Sequence, residues 1–286
     1  MIELKIFNNP KLMQADCEER RLKGLKIGLV PTMGFLHEGH ASLIRRARKE
    51  CDYVVVSIFV NPWQFCPGED FSSYPRDLQR DLRLCEKERA NAVFAPDASD
   101  IYPPSFQTSV DVSKLSSGLC GARRQGHFAG VCTIVSKLFN VAKPHKAYFG
   151  QKDFQQLRVI RQMAQDLNFD VEVIGCPIAR DHDGLALSSR NSYLSDEERA
   201  QAPALYKSLQ AAKELVLSGE RTAAVIRQKI EKIISKDAPL AKIDYVEIVD
   251  ADSLEPVFQL KGRVLVALAV FIGKTRLIDN ELLEVA

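Results

Sequence analysis

No apolar run in this sequence is long enough to cross a bilayer. The longest, Val264–Ile272, suits a buried strand, where a spanning helix needs about 20 apolar residues. Charges and Pro10 interrupt Met1–Leu25, so that segment does not read as a secretory signal. An excess of one charge sign is also missing. The net charge of +2 leaves no field that would draw nucleic acid or an anionic membrane, and neither partner is expected. The seven cysteines are odd in number and contain no C-x-x-C pair, which argues against a disulfide framework or a zinc ribbon. Cys17, Cys51, Cys85, Cys132 and Cys176 read as small core residues in a reducing cytoplasm, and Cys66 and Cys120 as loop residues. There is one tryptophan, no internal repeat and no low-complexity stretch.

The 286 residues, 46% hydrophobic and 27% charged, have the composition of an ordinary globular chain. Short apolar runs alternate with helical patterns: strands at Ile27–Val30, Val54–Val60, Ala92–Phe94, Lys146–Phe149 and Val171–Gly175, and helices at Ala41–Lys49, Asp77–Glu88, Val131–Val141 and Gln155–Leu167. This alternation predicts an α/β fold, a Rossmann-like parallel sheet with helices on both faces. Ligands of such sheets bind beyond the carboxyl ends of strands. The unusual loops start there: Pro31–His40, Asn61–Arg76, Gly150–Asp153 and Cys176–Asn191. Beyond Asn191 the character changes. Ser195–Glu198 is a capping pattern, helix recurs near Thr222–Ser235, and Ile243–Val249, Val264–Ile272 and Thr275–Ile278 predict an antiparallel sheet. Two domains are expected, 1–183 for nucleotide and substrate and 184–286 as a smaller α+β lid.

Histidine is scarce, and two of the five, His37 and His40, lie three apart in a strand-to-helix turn. A helix N-terminus there presents N–H groups and a partial positive charge to an anion. The metalloprotease spacing H-E-x-x-H is absent, and Gly39 suits that helix poorly; capping is the plain alternative. Gly150–Gln151–Lys152–Asp153 could cradle a nucleotide, with lysine on phosphate and aspartate on a ribose hydroxyl or Mg2+, or be a surface turn. Leu187–Ser188–Ser189–Arg190–Asn191 could clamp a phosphorus centre in transit, or simply cap a helix. Gln64, in Asn61–Phe65, and Gln156 offer neutral amides suited to hydroxyl and carboxylate groups, while Trp63 and Phe65 read equally as wall or core. Arg123–Phe128 fits an anion contact or a surface loop. Arg45–Lys49 reads first as a solvated helix face, and His145 and His182 as non-catalytic.

Taken together, P-T-M-G-x-L-H-x-G-H at Pro31–His40, N-P-x-Q-F at Asn61–Phe65, E-D-F-x-x-Y-P-R at Glu69–Arg76, G-H-F-x-G-V at Gly126–Val131, F-G-x-K-D-x-Q-Q at Phe149–Gln156 and D-G-L-A-L-S-S-R-N at Asp183–Asn191 resemble the pantoate–β-alanine ligase family, in order along nearly the whole chain. That family belongs to the H-x-G-H nucleotidyltransferases. The resemblance implies condensation of (R)-pantoate with β-alanine to pantothenate, using ATP and Mg2+, through a pantoyl adenylate, with release of AMP and diphosphate. It implies an ATP site at Met33, Gly34, Phe35, Leu36, His37, Glu38, Gly39, His40, Gly150, Gln151, Lys152, Asp153, Ala179, Leu187, Ser188, Ser189 and Arg190. His40 would donate a proton, with His37, Lys152, Ser188, Ser189 and Arg190 at the phosphates. Gln64 and Gln156 would hold pantoate, and Gln64 would border β-alanine. The metal ligands stay unassigned. A cytoplasmic homodimer is implied as well. Departures from the family pattern are Gln151 for glutamate, Cys66 for glycine, Gln125 for proline and Cys120 for glutamate. The alternative is another H-x-G-H nucleotidyltransferase acting on a small phosphorylated substrate.

Overall fold

The computed structural model describes residues 3–285; residues 1, 2 and 286, at the outer ends of the two expected domains, lie outside them. Two compact units emerge. The first takes the chain up to Ser113, then Arg124–Gln151 and Gln156–Pro177; the second takes Lys114–Arg123, Lys152–Gln155 and the chain from Ile178. In chain order the elements up to Cys176 are β1 (Lys5–Phe7), α1 (Pro10–Leu22), β2 (Ile27–Thr32), α2 (Glu38–Glu50), β3 (Tyr53–Ile58), α3 (Leu78–Lys87), β4 (Ala92–Phe94), α4 (Ala98–Ile101), α5 (Leu119–Arg123), α6 (His127–Ala142), β5 (Lys146–Gly150), α7 (Phe154–Asp166) and β6 (Glu172–Cys176).

The six strands form one sheet in the order β1-β4-β3-β2-β5-β6, with every pairing parallel, as the alternation predicts. Register aligns Val30 with Val56 and Val56 with Val93, so these side chains share a face. They pack there with Tyr148, with Leu43, Ile44 and Ala47 of α2, and with Cys85 of α3. Helices α1 and α6 touch each other and β2. Strand order reverses between β2 and β5. Such a switch point leaves a crevice beyond the carboxyl ends of the two strands. Cys17, Cys51, Cys85, Cys132 and Cys176 are buried free thiols, as expected of small core residues.

The second unit contains α5, α8 (Asp196–Gln201), α9 (Ala204–Leu217), α10 (Ala223–Asp237) and the strands β7 (Ala241–Asp250), β8 (Gly262–Ile272) and β9 (Thr275–Val285). Ser195 and Glu198 form the reciprocal cap expected at α8. The antiparallel order is β7-β8-β9. Alternate β8 residues Val264, Val266, Leu268 and Val270 join Leu205 and Leu209 of α9 and Ile226, Ile230 and Ile234 of α10 in one core. Cys120 lies within α5 rather than in a loop.

Candidate active site

β2 runs on to Thr32, and the turn Met33–Leu36 follows. Gly34 and Phe35 are both left-handed, with φ of 82° and 50°. A Cβ on Gly34 would sit 3.1 Å from both Asp81 Oδ2 and Ile58 Cγ2, so glycine suits the position on two counts. Phe35 has no such exemption, and its neighbours hold it. The N–H groups of Phe35 and Leu36 donate to the Asp81 carboxylate at 2.8 and 2.6 Å. The Arg80 guanidinium lies 4.5 Å from the Phe35 ring centroid. Thr32 Oγ1 accepts from the Gly34 N–H at 3.2 Å and donates to the Ser57 carbonyl at 2.7 Å. Asp81 is buried, and burial pushes its carboxyl above the usual range although both backbone donors oppose this. The sequence reading missed Asp81.

Helix α2 begins at Glu38, three residues earlier than the pattern predicts, and Gly39 lies inside its first turn. His37 is the cap. Its Nδ1 accepts the Gly39 N–H at 3.1 Å, while His40 Nδ1 accepts the His37 N–H at 3.3 Å. Histidine here plays both parts of a capping box, so the plain reading of the pair is correct as far as it goes. It also has a chemical consequence. A neutral ring that accepts at Nδ1 carries its proton on Nε2, so each imidazole is set as an Nε2–H donor. The two rings stand 4.1 Å apart, centroid to centroid. In the basic run behind them, Arg45 pairs with Glu38 and Glu88, and Arg46 with Glu50, as a solvated face would.

Asn61, Pro62, Trp63 and Gln64 follow β3 as a short 3-10 turn capped by Asn61. The buried Gln64 side chain reaches Met33, its Nε2 lying 2.8 Å from the Met33 sulfur, so the turns after β2 and β3 meet. The backbone of this turn is braced from α6. His127 Nδ1 donates to the Gln64 carbonyl at 2.7 Å, and Arg124 donates to His127 Nε2 at 2.9 Å. Arg124 also grips Glu69 at 2.6 and 2.8 Å. Burial works against the Glu69 charge, but Arg124 holds this carboxyl below its usual range. Arg124 and His127 are therefore occupied by protein rather than by a ligand, and the motifs around them serve to fix Gln64. Gly130 belongs to the same brace: a Cβ there would come within 2.2 Å of the Trp63 carbonyl oxygen. Two departures from the family pattern touch each other, Cys66 Sγ lying 3.4 Å from the Gln125 carbonyl. Cys66 is not left-handed, so the turn does not need glycine there.

In the second unit Lys152 and Asp153 sit in a single 3-10 turn that leads into α7, their side chains 3.2 Å apart. Asn280 of β9 donates to the Lys152 carbonyl at 2.9 Å. Its neighbour Asp279 takes a two-pronged contact from Arg180 at 2.7 and 2.9 Å. Burial raises the Asp279 carboxyl despite that partner. Leu187 donates its N–H to the Ala179 carbonyl at 2.9 Å. Ser188 caps the 3-10 helix Ser189–Tyr193 by accepting the Arg190 N–H at 3.3 Å, and Ser189 is buried. Gln156 of α7, in the first unit, is half-buried. Two histidines lie elsewhere: His145 accepts the Ile27 N–H at the start of β2, and His182 is exposed beside Asp181.

A profile of the pantoate-β-alanine ligase family matches residues 5–282. The pantothenate synthetase of Thermotoga petrophila is 57% identical over 98% of this chain and 100% of its own length. A crystal structure of pantothenate synthetase from Thermus thermophilus superposes with a TM-score of 0.91 at 42% identity, covering 97% of this chain and 98% of that one. Pantoate-β-alanine ligase from Francisella tularensis, solved with β,γ-ATP and β-alanine, superposes with a TM-score of 0.80 at 35% identity, covering 98% of each chain. With the family matched from β1 into β9 and the H-x-G-H turn built as a pair of histidine donors at a helix N-terminus, the chain belongs to the pantoate-β-alanine ligase family.

Proposed function

We propose that the protein condenses pantoate with β-alanine at the expense of ATP, and that the donor pair His37 and His40 is the observation that carries this reading. A carboxylate acylates poorly because an oxide-like oxygen would have to leave. Adenylation replaces it with AMP. The pantoate carboxylate attacks the α-phosphorus and diphosphate departs; the β-alanine amine then attacks the acyl carbon and AMP departs. No covalent bond to the protein is required, so its tasks are positioning and charge stabilisation.

His37 and His40, as Nε2–H donors, suit phosphate oxygens, and His40 stabilises the departing diphosphate by donating that hydrogen bond to it. Met33–His40, Gly150–Asp153, Ala179 and Leu187–Arg190 bind ATP, with Lys152 and Arg190 adding positive charge and the Ser188 and Ser189 hydroxyls accompanying Arg190. Gln64 and Gln156 hold pantoate without competing as nucleophiles, and Gln64 borders β-alanine. Mg2+ brought in on the triphosphate needs few protein oxygens, and the exposed carboxylate of Asp153 suits it. Bound there, the ion neutralises phosphate charge. In the same reading 1–183 is the catalytic domain and 184–286 a lid, and the protein works as a cytoplasmic homodimer. Among the described residues no helix is long and apolar enough to cross a membrane.

The test is pantoate-dependent exchange of labelled diphosphate into ATP without amine, followed by AMP release when β-alanine is added. His40→Ala should lower exchange about 10²–10³-fold, the usual loss for one transition-state donor, while ATP still binds by calorimetry. Absence of exchange in the folded wild-type protein would refute the ligase reading. Wild-type exchange in the variant would refute the role of His40.

A further inference from the structure

Gln64 can offer a substrate either end of its amide, and the residues behind it decide which. The buried Asn61 side chain sits between two backbone groups of fixed polarity. The Trp63 N–H, 3.3 Å from Asn61 Oδ1, can only donate, and the Gly130 carbonyl, 3.0 Å from Nδ2, can only accept. The orientation of the Asn61 amide follows without ambiguity. Two further contacts are then determined. The Tyr102 hydroxyl, 2.8 Å from Oδ1, is a donor. The Gln64 oxygen Oε1, 3.2 Å from Nδ2, is an acceptor already in use. What remains of the Gln64 amide is its N–H end: one hydrogen is donated to the sulfur of Met33 in the H-x-G-H turn at 2.8 Å, and the second is left for a substrate.

We infer that Tyr102 is a positioning residue for the acid substrate, its hydroxyl acting through Asn61 to hold the Gln64 amide with its donor end turned to the carboxylate and hydroxyl oxygens of pantoate. This rests on the reading that Gln64 binds pantoate. Tyr102 is well placed for the task. Its ring stacks on Trp63 at 4.6 Å and 1° and meets Phe106 edge-on at 5.2 Å, so the hydroxyl is rigidly aimed. Burial raises the phenol above its usual range, which keeps the hydroxyl protonated as a donor. Sequence position gives no hint of this, because Tyr102 lies 41 residues beyond Asn61.

Steady-state kinetics of Tyr102→Phe, Asn61→Asp and Gln64→Ala test the relay. Tyr102→Phe keeps the ring and its stacking, and should raise KM for pantoate about 3–10-fold, the share of one neutral hydrogen bond, with KM for ATP and kcat within about twofold of wild type. Asn61→Asp withdraws the donor from Gln64 Oε1, and should raise KM for pantoate further with the same selectivity. Tyr102→Leu, which also removes the stack, separates packing from positioning: loss of thermal stability there with no change in KM for pantoate would mark Tyr102 as structural only. If Gln64→Ala raises KM for pantoate while Tyr102→Phe leaves it at the wild-type value, the relay is wrong and the Gln64 reading stands. If Gln64→Ala leaves it unchanged, both fail. Equal increases in KM for pantoate and ATP in Tyr102→Phe would also overturn the inference.

Discussion

At the scale of single residues, the H-x-G-H turn depends on a carboxylate outside the motif. Asp81 uses both oxygens on consecutive N–H groups, and one of them belongs to Phe35, a left-handed residue without the freedom of glycine. Such a backbone costs roughly 1 kcal/mol or more and persists only when its surroundings over-determine it. Asp81→Asn keeps the shape but turns an N–H2 group toward a backbone N–H. It should weaken ATP binding by about 1–3 kcal/mol, the usual result of one mispaired buried donor. KM for ATP measured beside the melting temperature checks this; an unchanged KM would show that the turn holds its shape unaided. Gly34, His37 and His40 were legible in the sequence because one local motif contains them. Asp81 was not, because it lies 45 residues from Leu36 and reads as one more charge on an amphipathic helix. His37 and His40 show a different limit. Their spacing fitted a cap or a phosphate site equally well, and only the Nδ1 contacts reveal that the cap is what sets the Nε2 donors.

At the scale of elements, the placement of Gln64 depends on how closely α6 approaches the 3-10 turn after β3. Gly130 allows that approach, since an added Cβ would meet the Trp63 carbonyl oxygen at 2.2 Å, its carbon at 2.4 Å and the Gln64 nitrogen at 2.7 Å. All three are backbone atoms, so a side chain cannot step aside. Gly130→Ala should therefore destabilise the fold by about 1–3 kcal/mol, the usual cost of overpacking, and shift Gln64 with it. Urea unfolding should show the loss of stability. KM for pantoate should rise with KM for ATP nearly constant; a variant unchanged in both would mean the helix moves away at no cost. Strands β2 to β6 and α6 were legible as apolar runs, and their bounds differ from the pattern by only a few residues. β1 and α1 were not. β1 has three residues with Ile6 exposed on the sheet edge, and α1 buries Met13 and Cys17 among charges. α9 escaped as well, because its buried face mixes Ala204, Ser208 and Ala212 with only a few large apolar residues.

Across the whole molecule, the order of six motifs made the family and its α/β architecture readable, whereas the polar contacts joining distant segments were not, since no local pattern encodes them. Glu50 is one such junction. At the end of α2 it accepts from Lys146 at 2.8 Å and from Tyr148 at 3.1 Å, and it also pairs with Arg46. Lys146, then Arg46, hold its carboxyl at about 2, below its ordinary 4.5. Above pH 4.5 the group is ionised in folded and unfolded chains alike, so its contribution to stability is fully present there. It is lost as pH falls from 4.5 toward 2, where the folded form also takes up the proton. Glu50→Gln should thus melt below wild type at neutral pH, with the gap closing across that window in a pH series of thermal scans; a constant gap would exclude the linkage. A second junction bears on the order in which the protein is made. The Lys152 carbonyl is held by Asn280, 128 residues further along the chain. A ribosome-bound chain can finish all six parallel strands and both histidine caps long before β9 emerges. The turn carrying Lys152 lacks this hydrogen bond until that last strand joins its sheet, so a chain stopped short would have a completed parallel sheet and a Lys152 turn without its Asn280 contact.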